Sequence, residues 1–200
     1  NSTSMDVLSF DYRLAPEHPY PSALLDAIKI WDYLMHIGYG ARDVIIAGDS
    51  AGGNLALALT LKLKEQNRIL PRGLILFSPW TDLTRSGRSH KTRHDIDPIL
   101  TETYLDQAIK DYACREDLQD PFISPLYGDF TDFPPVLIQA GSNEILLSDS
   151  LELHKQLVRH HVGARIAVYQ GMWHVFQMSP FKTAYEAMDQ AAAFIFDICR

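Results

Sequence analysis

The sequence predicts a single α/β domain of 200 residues in which a mostly parallel sheet is covered by helices on both faces. Short runs of β-forming residues alternate with longer segments of helical periodicity, as parallel strands joined by crossover helices require. Two runs, VIIA at 44–47 and LILF at 74–77, are apolar throughout, which is typical of strands buried on both faces. A glycine-flanked serine lies between the first of these runs and a helix.

The predicted elements follow one another in regular order. Apolar β-forming runs predict strands at 7–12, 44–47, 74–77, 136–140 and 165–169. Apolar residues at helical spacing predict helices at 22–37, 54–64, 103–112, 148–161 and 181–198. The region from about 83 to 120 interrupts the alternation, and we expect it to be an insertion that serves as a lid over the edge of the sheet.

The composition excludes several function classes. Hydrophobic residues make up 46% of the chain and charged residues 22%, the balance of a globular domain. A formal net charge of -7, without a dense Lys/Arg cluster, argues against nucleic acid as a partner. No apolar run approaches the roughly 18 residues of a membrane span.

The two cysteines and the first residue give information about the cellular compartment in which the protein is expected to work. Cys114 and Cys199 are too few and too far apart for a disulfide framework or a zinc site, so we interpret them as buried or incidental thiols. This favours a reducing, cytoplasmic location. The chain opens at Asn1 without an initiator Met, so we expect the natural N-terminus, with any signal peptide, to lie upstream.

The segment Gly48-Asp49-Ser50-Ala51-Gly52 matches the G-x-S-x-G pattern of a nucleophile elbow. It connects a predicted strand to a predicted helix, which is the context that this pattern requires. The turn is expected to project the Ser50 hydroxyl beyond the sheet, with glycines two positions away on either side admitting a close approach of strand and helix. The N–H of Ala51, at the start of the helix, is then placed to face a developing oxyanion. A phosphate-binding turn is the alternative.

A serine nucleophile needs a histidine base, for which eight histidines compete. His174 follows the last predicted strand, on a loop that contains Gly171, where a base contributed by a strand end should lie. His160 and His161 stand at a helix C-terminus, where a solvated or dipole-stabilising role is more usual. We therefore predict His174 as the base, rather than these or the remaining histidines, which include His18, His90 and His94.

The carboxylate that orients the base should follow the strand at 136–140, because the triad of this architecture runs serine, acid, histidine along the chain. Glu144 and Asp149 both qualify by position. Asp149 starts the next helix with Glu152 three residues on, a capping arrangement that explains it without catalysis. Glu144 has no such local role, so we prefer Glu144 and keep Asp149 as the alternative.

Five segments, in order, resemble the hormone-sensitive-lipase family of α/β-hydrolase esterases: YRLAPEHPYP, GDSAGG, SPWTDL, DPFISPL and GMWHVF. The resemblance extends over essentially the whole chain. It implies the α/β-hydrolase fold, a serine carboxylesterase acting on short- to medium-chain acyl esters, and neither metal nor organic cofactor. The family's nucleophile, acid and base correspond to Ser50, Glu144 and His174. Many members carry Asp-Pro-Leu at the acid position, where this chain has Asn143-Glu144-Ile145.

The family's HGGG segment, which supplies further oxyanion donors, should precede YRLAPEHP and is absent from these 200 residues. Ala51 is then the one identifiable oxyanion donor, and loss of a donor typically costs about 10²–10³ in rate. We therefore expect the chain to lack the first strands and the oxyanion loop, and to be a poor enzyme by itself.

We hypothesise that the chain hydrolyses a small-molecule carboxylic ester through an acyl-enzyme on Ser50. Two other functions stay open: a hydrolase fold that binds a small ligand without turnover, and an amide or lactone hydrolase with the same triad. The oligomeric state is also open, with a homodimer as one option. Four aromatic residues are open between a substrate pocket and simple packing: Trp80, Tyr104, Tyr112 and Phe176.

Overall fold

A computed structural model describes residues 3–200 and shows a four-stranded parallel sheet. Its strands lie side by side in chain order: β1 (Ile45–Asp49), β2 (Gly73–Phe77), β3 (Val136–Gly141) and β4 (Ala164–Tyr169). All three neighbouring pairs are parallel. The carboxyl ends of the strands therefore lie along one edge of the sheet, which confirms the predicted parallel arrangement.

Six helices accompany the strands within residues 3–200: α1 (Ser22–His36), α2 (Ala51–Glu65), α3 (Ser89–Thr92), α4 (Glu102–Ala113), α5 (Leu147–Arg159) and α6 (Lys182–Ile198). Five of them match predicted helices, and the single turn α3 was not predicted. Within the same residues, no helix combines the length and the hydropathy needed to cross a bilayer.

The side chains of β2 alternate between two apolar layers, because successive residues of a strand point to opposite faces. Leu74 and Leu76 pack with residues of α2 and α5, whereas Ile75 packs with Phe194 of α6. Helices thus cover both faces of the sheet. Burial of each large aliphatic side chain contributes about 1.5–3 kcal/mol, so these layers provide the main stabilisation.

The start of the chain departs from prediction. Residues 7–12 were predicted to be a strand but form no ladder with any other part of residues 3–200. Phe10 and Tyr12 instead contact each other, with ring centroids 5.8 Å apart, and pack against the apolar cluster shared by α1 and α2. Within residues 3–200, β1 pairs with β2 alone and Ala47 is exposed, so β1 is also less buried there than predicted. A strand-like composition does not provide a pairing partner.

The segment 83–120, which contains α3 and α4, is packed firmly onto the domain. Leu83, Leu100 and Leu105 share an apolar cluster with Ile145 and other residues of the main body. The segment thus continues the core of the domain, and its action as a lid remains a prediction.

Both cysteines are free and exposed, which excludes the buried alternative for Cys114 and Cys199 and leaves that of incidental thiols. Each lies at the end of a helix, Cys114 after α4 and Cys199 after α6. The helix ends leave these side chains outside the apolar layers.

Candidate active site

Ser50 occupies a sharp turn between β1 and α2. Its backbone has φ 51° and ψ -120°, a region that non-glycine residues rarely adopt. The turn is held because the N–H of Ser50 donates to the carbonyl of Phe77 and the N–H of Trp80 donates to the carbonyl of Ser50. The serine is therefore fixed at the carboxyl end of β1 by the neighbouring strand.

Two glycines permit this turn, but they are not the pair expected from the motif. A Cβ on Gly48 would lie 2.3 Å from the carbonyl oxygen of Gly52, and a Cβ on Gly53 would lie 2.9 Å from Cβ of Pro79. A Cβ on Gly52 would meet nothing within 4 Å among residues 3–200. The steric role predicted for Gly52 is therefore wrong, and Gly53 has it instead.

His174 lies on the loop after β4, and its ring reaches Ser50 across 124 residues of sequence. Nε2 of His174 is 2.9 Å from Oγ of Ser50. The imidazole is buried, and the backbone turns around it through two left-handed residues, Gly171 at φ 75° and Val175 at φ 52°. The turn presents one ring nitrogen to Ser50 and leaves the other to face the interior.

Glu144 lies on the turn after β3 and meets that second nitrogen. Its Oε2 is 2.9 Å from Nδ1 of His174. The side chain is wholly buried, and Oε1 accepts hydrogen bonds from the N–H of Gly141 and the hydroxyl of Ser78. A Cβ on Gly141 would lie 2.3 Å from the carbonyl oxygen of Met172, so the turn that carries Glu144 packs directly on the loop that carries His174.

Asp149, the alternative acid, has other partners. Its Oδ1 accepts the N–H groups of Thr81 and Asp82, each at 2.9 Å, and its Oδ2 lies 3.0 Å from Nε2 of His90. The interpretation of Asp149 as a helix cap is also wrong, since α5 has no side-chain cap and this carboxylate binds the chain after β2. Burial raises the pKa of the Asp149 carboxyl, and the facing His90 imidazole opposes that rise.

The remaining histidines are dispersed. His160 lies beside Thr131 and Asp129, and His94 beside Asp95, both at the surface. His18 lines the cavity described below. Among the described residues, His174 is the histidine within hydrogen-bond distance of Ser50.

The N–H of Ala51 is the first of helix α2, and the first N–H groups of a helix have no acceptor within it. This N–H lies next to the nucleophile, and the positive end of the helix dipole at the same place favours a negative charge there. The location of Ala51 is therefore that expected of an oxyanion donor.

A cavity of about 360 Å³ opens beside Ala51. Three of the four aromatic candidates line it: Trp80 from the chain after β2, and Tyr104 and Tyr112 from α4. Phe176 does not; it is buried against Tyr169, with ring centroids 4.9 Å apart. The cavity is lined further by Tyr12, Arg13, Leu14, Ala15, His18, Ala23, Ala51, Asn54, Leu55, Leu83, Gln107, Ala108 and Asp111.

Ser78 is a further residue of the site that was not predicted, although its position after β2 is a signal. Ser78 directly follows β2, so it lies at the same edge of the parallel sheet as Ser50 and Glu144. Polar residues at that edge are candidates for a site in any open α/β sheet. In the sequence, Ser78 stands out only as the first residue of the SPWTDL segment.

Residues 1–178 match the α/β hydrolase fold family. An esterase of Acinetobacter venetianus is 42% identical over 196 residues, which cover 96% of this chain and 64% of the relative. An acetyl-hydrolase of Streptomyces hygroscopicus is 35% identical over 170 residues, covering 85% of this chain and 57% of the relative.

Solved structures agree. A hormone-sensitive lipase from a metagenome library superposes with a TM-score of 0.91 at 38% identity, covering 95% of this chain and 65% of that one. An esterase from the bacterial hormone-sensitive lipase family gives 0.89 at 33% identity, with 92% and 63% covered. The chain thus spans between 57% and 65% of the length of these four relatives. It belongs to the α/β-hydrolase fold family, among the hormone-sensitive-lipase-like members.

Proposed function

We propose that the protein containing this chain is a serine carboxylic-ester hydrolase, with Ser50 as nucleophile, His174 as general base and Glu144 as the orienting acid. One observation carries the proposal. Oγ of Ser50, the two ring nitrogens of His174 and the Glu144 carboxylate form one continuous line of contacts, with both distances 2.9 Å. The arrangement has the geometry by which a histidine activates a serine hydroxyl.

The first half of the reaction transfers the acyl group to the enzyme. Nε2 of His174 takes the hydroxyl proton of Ser50 as Oγ attacks the ester carbonyl, and the carbonyl oxygen becomes an oxyanion within reach of the Ala51 N–H. The carbon–oxygen bond to the alcohol then breaks, and the imidazolium gives its proton to the departing oxygen. An acyl ester of Ser50 and a free alcohol result.

The second half restores the serine. His174 takes a proton from water as the water oxygen attacks the acyl carbonyl, and returns that proton to Oγ of Ser50 when the acyl–oxygen bond breaks. The products are a carboxylic acid and the original enzyme. No cofactor enters either half, because proton transfer and acyl transfer account for every bond that changes.

Glu144 supports both halves through the imidazole. Its Oε2 accepts a hydrogen bond from the N–H at Nδ1 of His174, which keeps the proton on Nδ1 and leaves Nε2 free to act as a base toward Ser50. Its negative charge also stabilises the imidazolium that forms in each half. The hydrogen bonds from Gly141 and Ser78 to Oε1 hold the carboxylate in one orientation.

The proposed substrates are short- to medium-chain acyl esters. The cavity beside Ala51, at about 360 Å³, is near the small end of ligand pockets, which range over about 300–1,000 Å³. Its walls are mainly apolar, with Leu55, Trp80 and Leu83 among them. The relatives named as an esterase and an acetyl-hydrolase support this chemical class.

The test is Ser50→Ala in the full-length protein, assayed on p-nitrophenyl butyrate. We expect kcat to fall by on the order of 10⁶-fold, as for other removed serine nucleophiles. Thr92→Ala, which removes an exposed hydroxyl on α3, is the matched control and should retain full activity. Turnover by Ser50→Ala at the wild-type rate would refute the proposal.

A panel of p-nitrophenyl esters from acetate to palmitate tests the substrate class. We expect kcat/KM to peak at a short or medium acyl chain and to fall for the longest ones. A maximum at palmitate would contradict the assignment of the cavity.

A further inference from the structure

Ser78 has a backbone conformation that serine does not favour. It directly follows β2 with φ 48°, in the left-handed region where glycine is the usual residue. Its side chain is wholly buried, and its N–H donates to the carbonyl of Gln139 on β3 at 2.7 Å. A non-glycine residue persists in such a conformation only where its surroundings fix it.

The hydroxyl of Ser78 makes two contacts, one to each of the turns that carry the acid and the base. It donates to Oε1 of Glu144 at 3.1 Å and accepts the N–H of Val175, the residue after His174, also at 3.1 Å. One hydroxyl can donate once and accept twice, so both contacts form together. Ser78 therefore links the Glu144 turn to the His174 loop.

We propose that Ser78 is a positioning residue for the reaction. Its hydroxyl holds the Glu144 carboxylate and the His174 imidazole in the positions from which the imidazole can take the proton of Ser50. This inference rests on the function proposed above. Ser78 is not expected to touch the substrate or the reacting atoms. Its effect passes through Glu144 on one side and through the backbone of residues 174–175 on the other.

Loss of the hydroxyl would leave two buried groups without a partner. Oε1 of Glu144 would retain only the Gly141 N–H, and the N–H of Val175 would have no acceptor in its place. Unpaired buried polar groups are costly, and structures shift to satisfy them. A small rotation at Val175 displaces the adjacent imidazole, whose proton transfer depends on its distance from Ser50.

Ser78→Gly separates positioning from simple structural support. Glycine adopts φ 48° without strain, so this variant removes the hydroxyl while easing the backbone. We expect kcat on p-nitrophenyl butyrate to fall by about 10- to 100-fold, the loss associated with one hydrogen bond to a charged group. KM should change less than about twofold, because Ser78 lies away from the cavity walls. Ser78→Ala should show the same fall in kcat, with lower stability.

Thr60→Val is the matched control. Thr60 is also a wholly buried hydroxyl with a single hydrogen bond, to the carbonyl of Ala56, and it lies ten residues along α2 from Ser50. It should retain wild-type kcat whatever it costs in stability.

The outcomes are distinct. Wild-type kcat in Ser78→Gly would overturn the inference, as would failure of both Ser78 variants to fold, since either result makes the hydroxyl purely structural. Absence of ester turnover in the wild-type protein would instead contradict the proposed function.

Discussion

Oδ2 of Asp149 lies 3.0 Å from Nε2 of His90, and both side chains are almost completely buried. The other carboxylate oxygen accepts the N–H groups of Thr81 and Asp82. This second carboxylate–histidine pair joins the start of α5 to the chain after β2 and to α3. Both carboxylate oxygens of Asp149 therefore have partners away from His174, and Glu144 is the carboxylate that faces His174.

This arrangement predicts losses of kcat of very different size for two conservative substitutions. Glu144→Gln should lower kcat by about 10³- to 10⁴-fold, because an amide in place of the carboxylate favours the wrong imidazole tautomer and removes the charge that stabilises imidazolium. Asp149→Asn should lower kcat by less than about 10-fold, since its partners lie outside the triad. Steady-state assays on one ester compare the two. A larger loss in Asp149→Asn would transfer the role of acid to Asp149.

Asp149 should matter more for stability. Asp149→Ala leaves two backbone N–H groups and the His90 ring without partners, and we expect the free energy of unfolding to fall by about 3–5 kcal/mol. Asp149→Asn keeps an acceptor for both N–H groups and offers an N–H to His90, so it should cost about 1–2 kcal/mol. Urea unfolding of the two variants measures the difference. Equal losses would contradict the stabilisation assigned to the acceptor that asparagine retains for the two N–H groups.

The same aspartate predicts a pH dependence. Burial raises the pKa of Asp149 in the folded state above its usual value of 3.8, so the folded state holds this proton more tightly than the unfolded state. The contribution of this proton to the stability of the fold is complete below the pKa of Asp149 in the unfolded state. It is lost as the pH rises through the pKa of Asp149 in the folded state. Asparagine does not titrate. The stability advantage of wild type over Asp149→Asn should therefore shrink as the pH rises above about 4, the pKa of an unfolded aspartate, and a growing advantage would contradict the raised pKa.

The elbow glycines predict a contrast within one motif. Gly48→Ala places a Cβ against the backbone carbonyl of Gly52, where no flexible side chain can yield. We expect a loss of about 1–3 kcal/mol in stability, with reduced kcat because α2 and Ser50 must shift. A Cβ in Gly52→Ala contacts no other part of residues 3–200, so within a helix this change should be neutral or stabilising by up to about 1 kcal/mol. Thermal unfolding compares the two, and equal destabilisation would contradict this packing.

Asp97 connects segment 83–120 to the turn that carries Glu144, and its substitution tests whether that connection positions the acid. Its Oδ2 accepts the N–H of Ile145, the residue after Glu144, at 2.8 Å, and its Oδ1 accepts the N–H groups of Ile99 and Leu100. Asp97→Ala should lower stability by about 2–4 kcal/mol and also lower kcat, because the Glu144 turn loses an anchor.

Asp95→Ala is the control for that change, since the Asp95 side chain is exposed, and both quantities should stay at wild-type levels. Wild-type kcat in Asp97→Ala would mean that the segment does not position the acid.

Features encoded in local sequence were predictable. Apolar runs identified β2 and β3, and the chain order of a parallel sheet led to Ser50, Glu144 and His174, which the structure brings within hydrogen-bond distance. The catalytic roles of these residues remain predictions.

Features that depend on contacts between distant segments were not predictable. Asp149 resembles a helix cap by spacing, but its partners lie 59 to 68 residues away. Likewise, Ser78 acquires its two contacts only when the loops after β3 and β4 meet. The position of Ser78 after β2 indicates the edge of the sheet, but no local pattern encodes the partners of either residue.

Covalent labelling of Ser50 tests the central claim most directly. The full-length protein is treated with a fluorophosphonate, and the modified residue is located by peptide mass spectrometry, alongside His174→Ala. We expect one label per chain, on Ser50, with a much slower reaction in His174→Ala. A wild-type protein that folds but leaves Ser50 unmodified would contradict it and favour a hydrolase fold that binds its ligand without turnover.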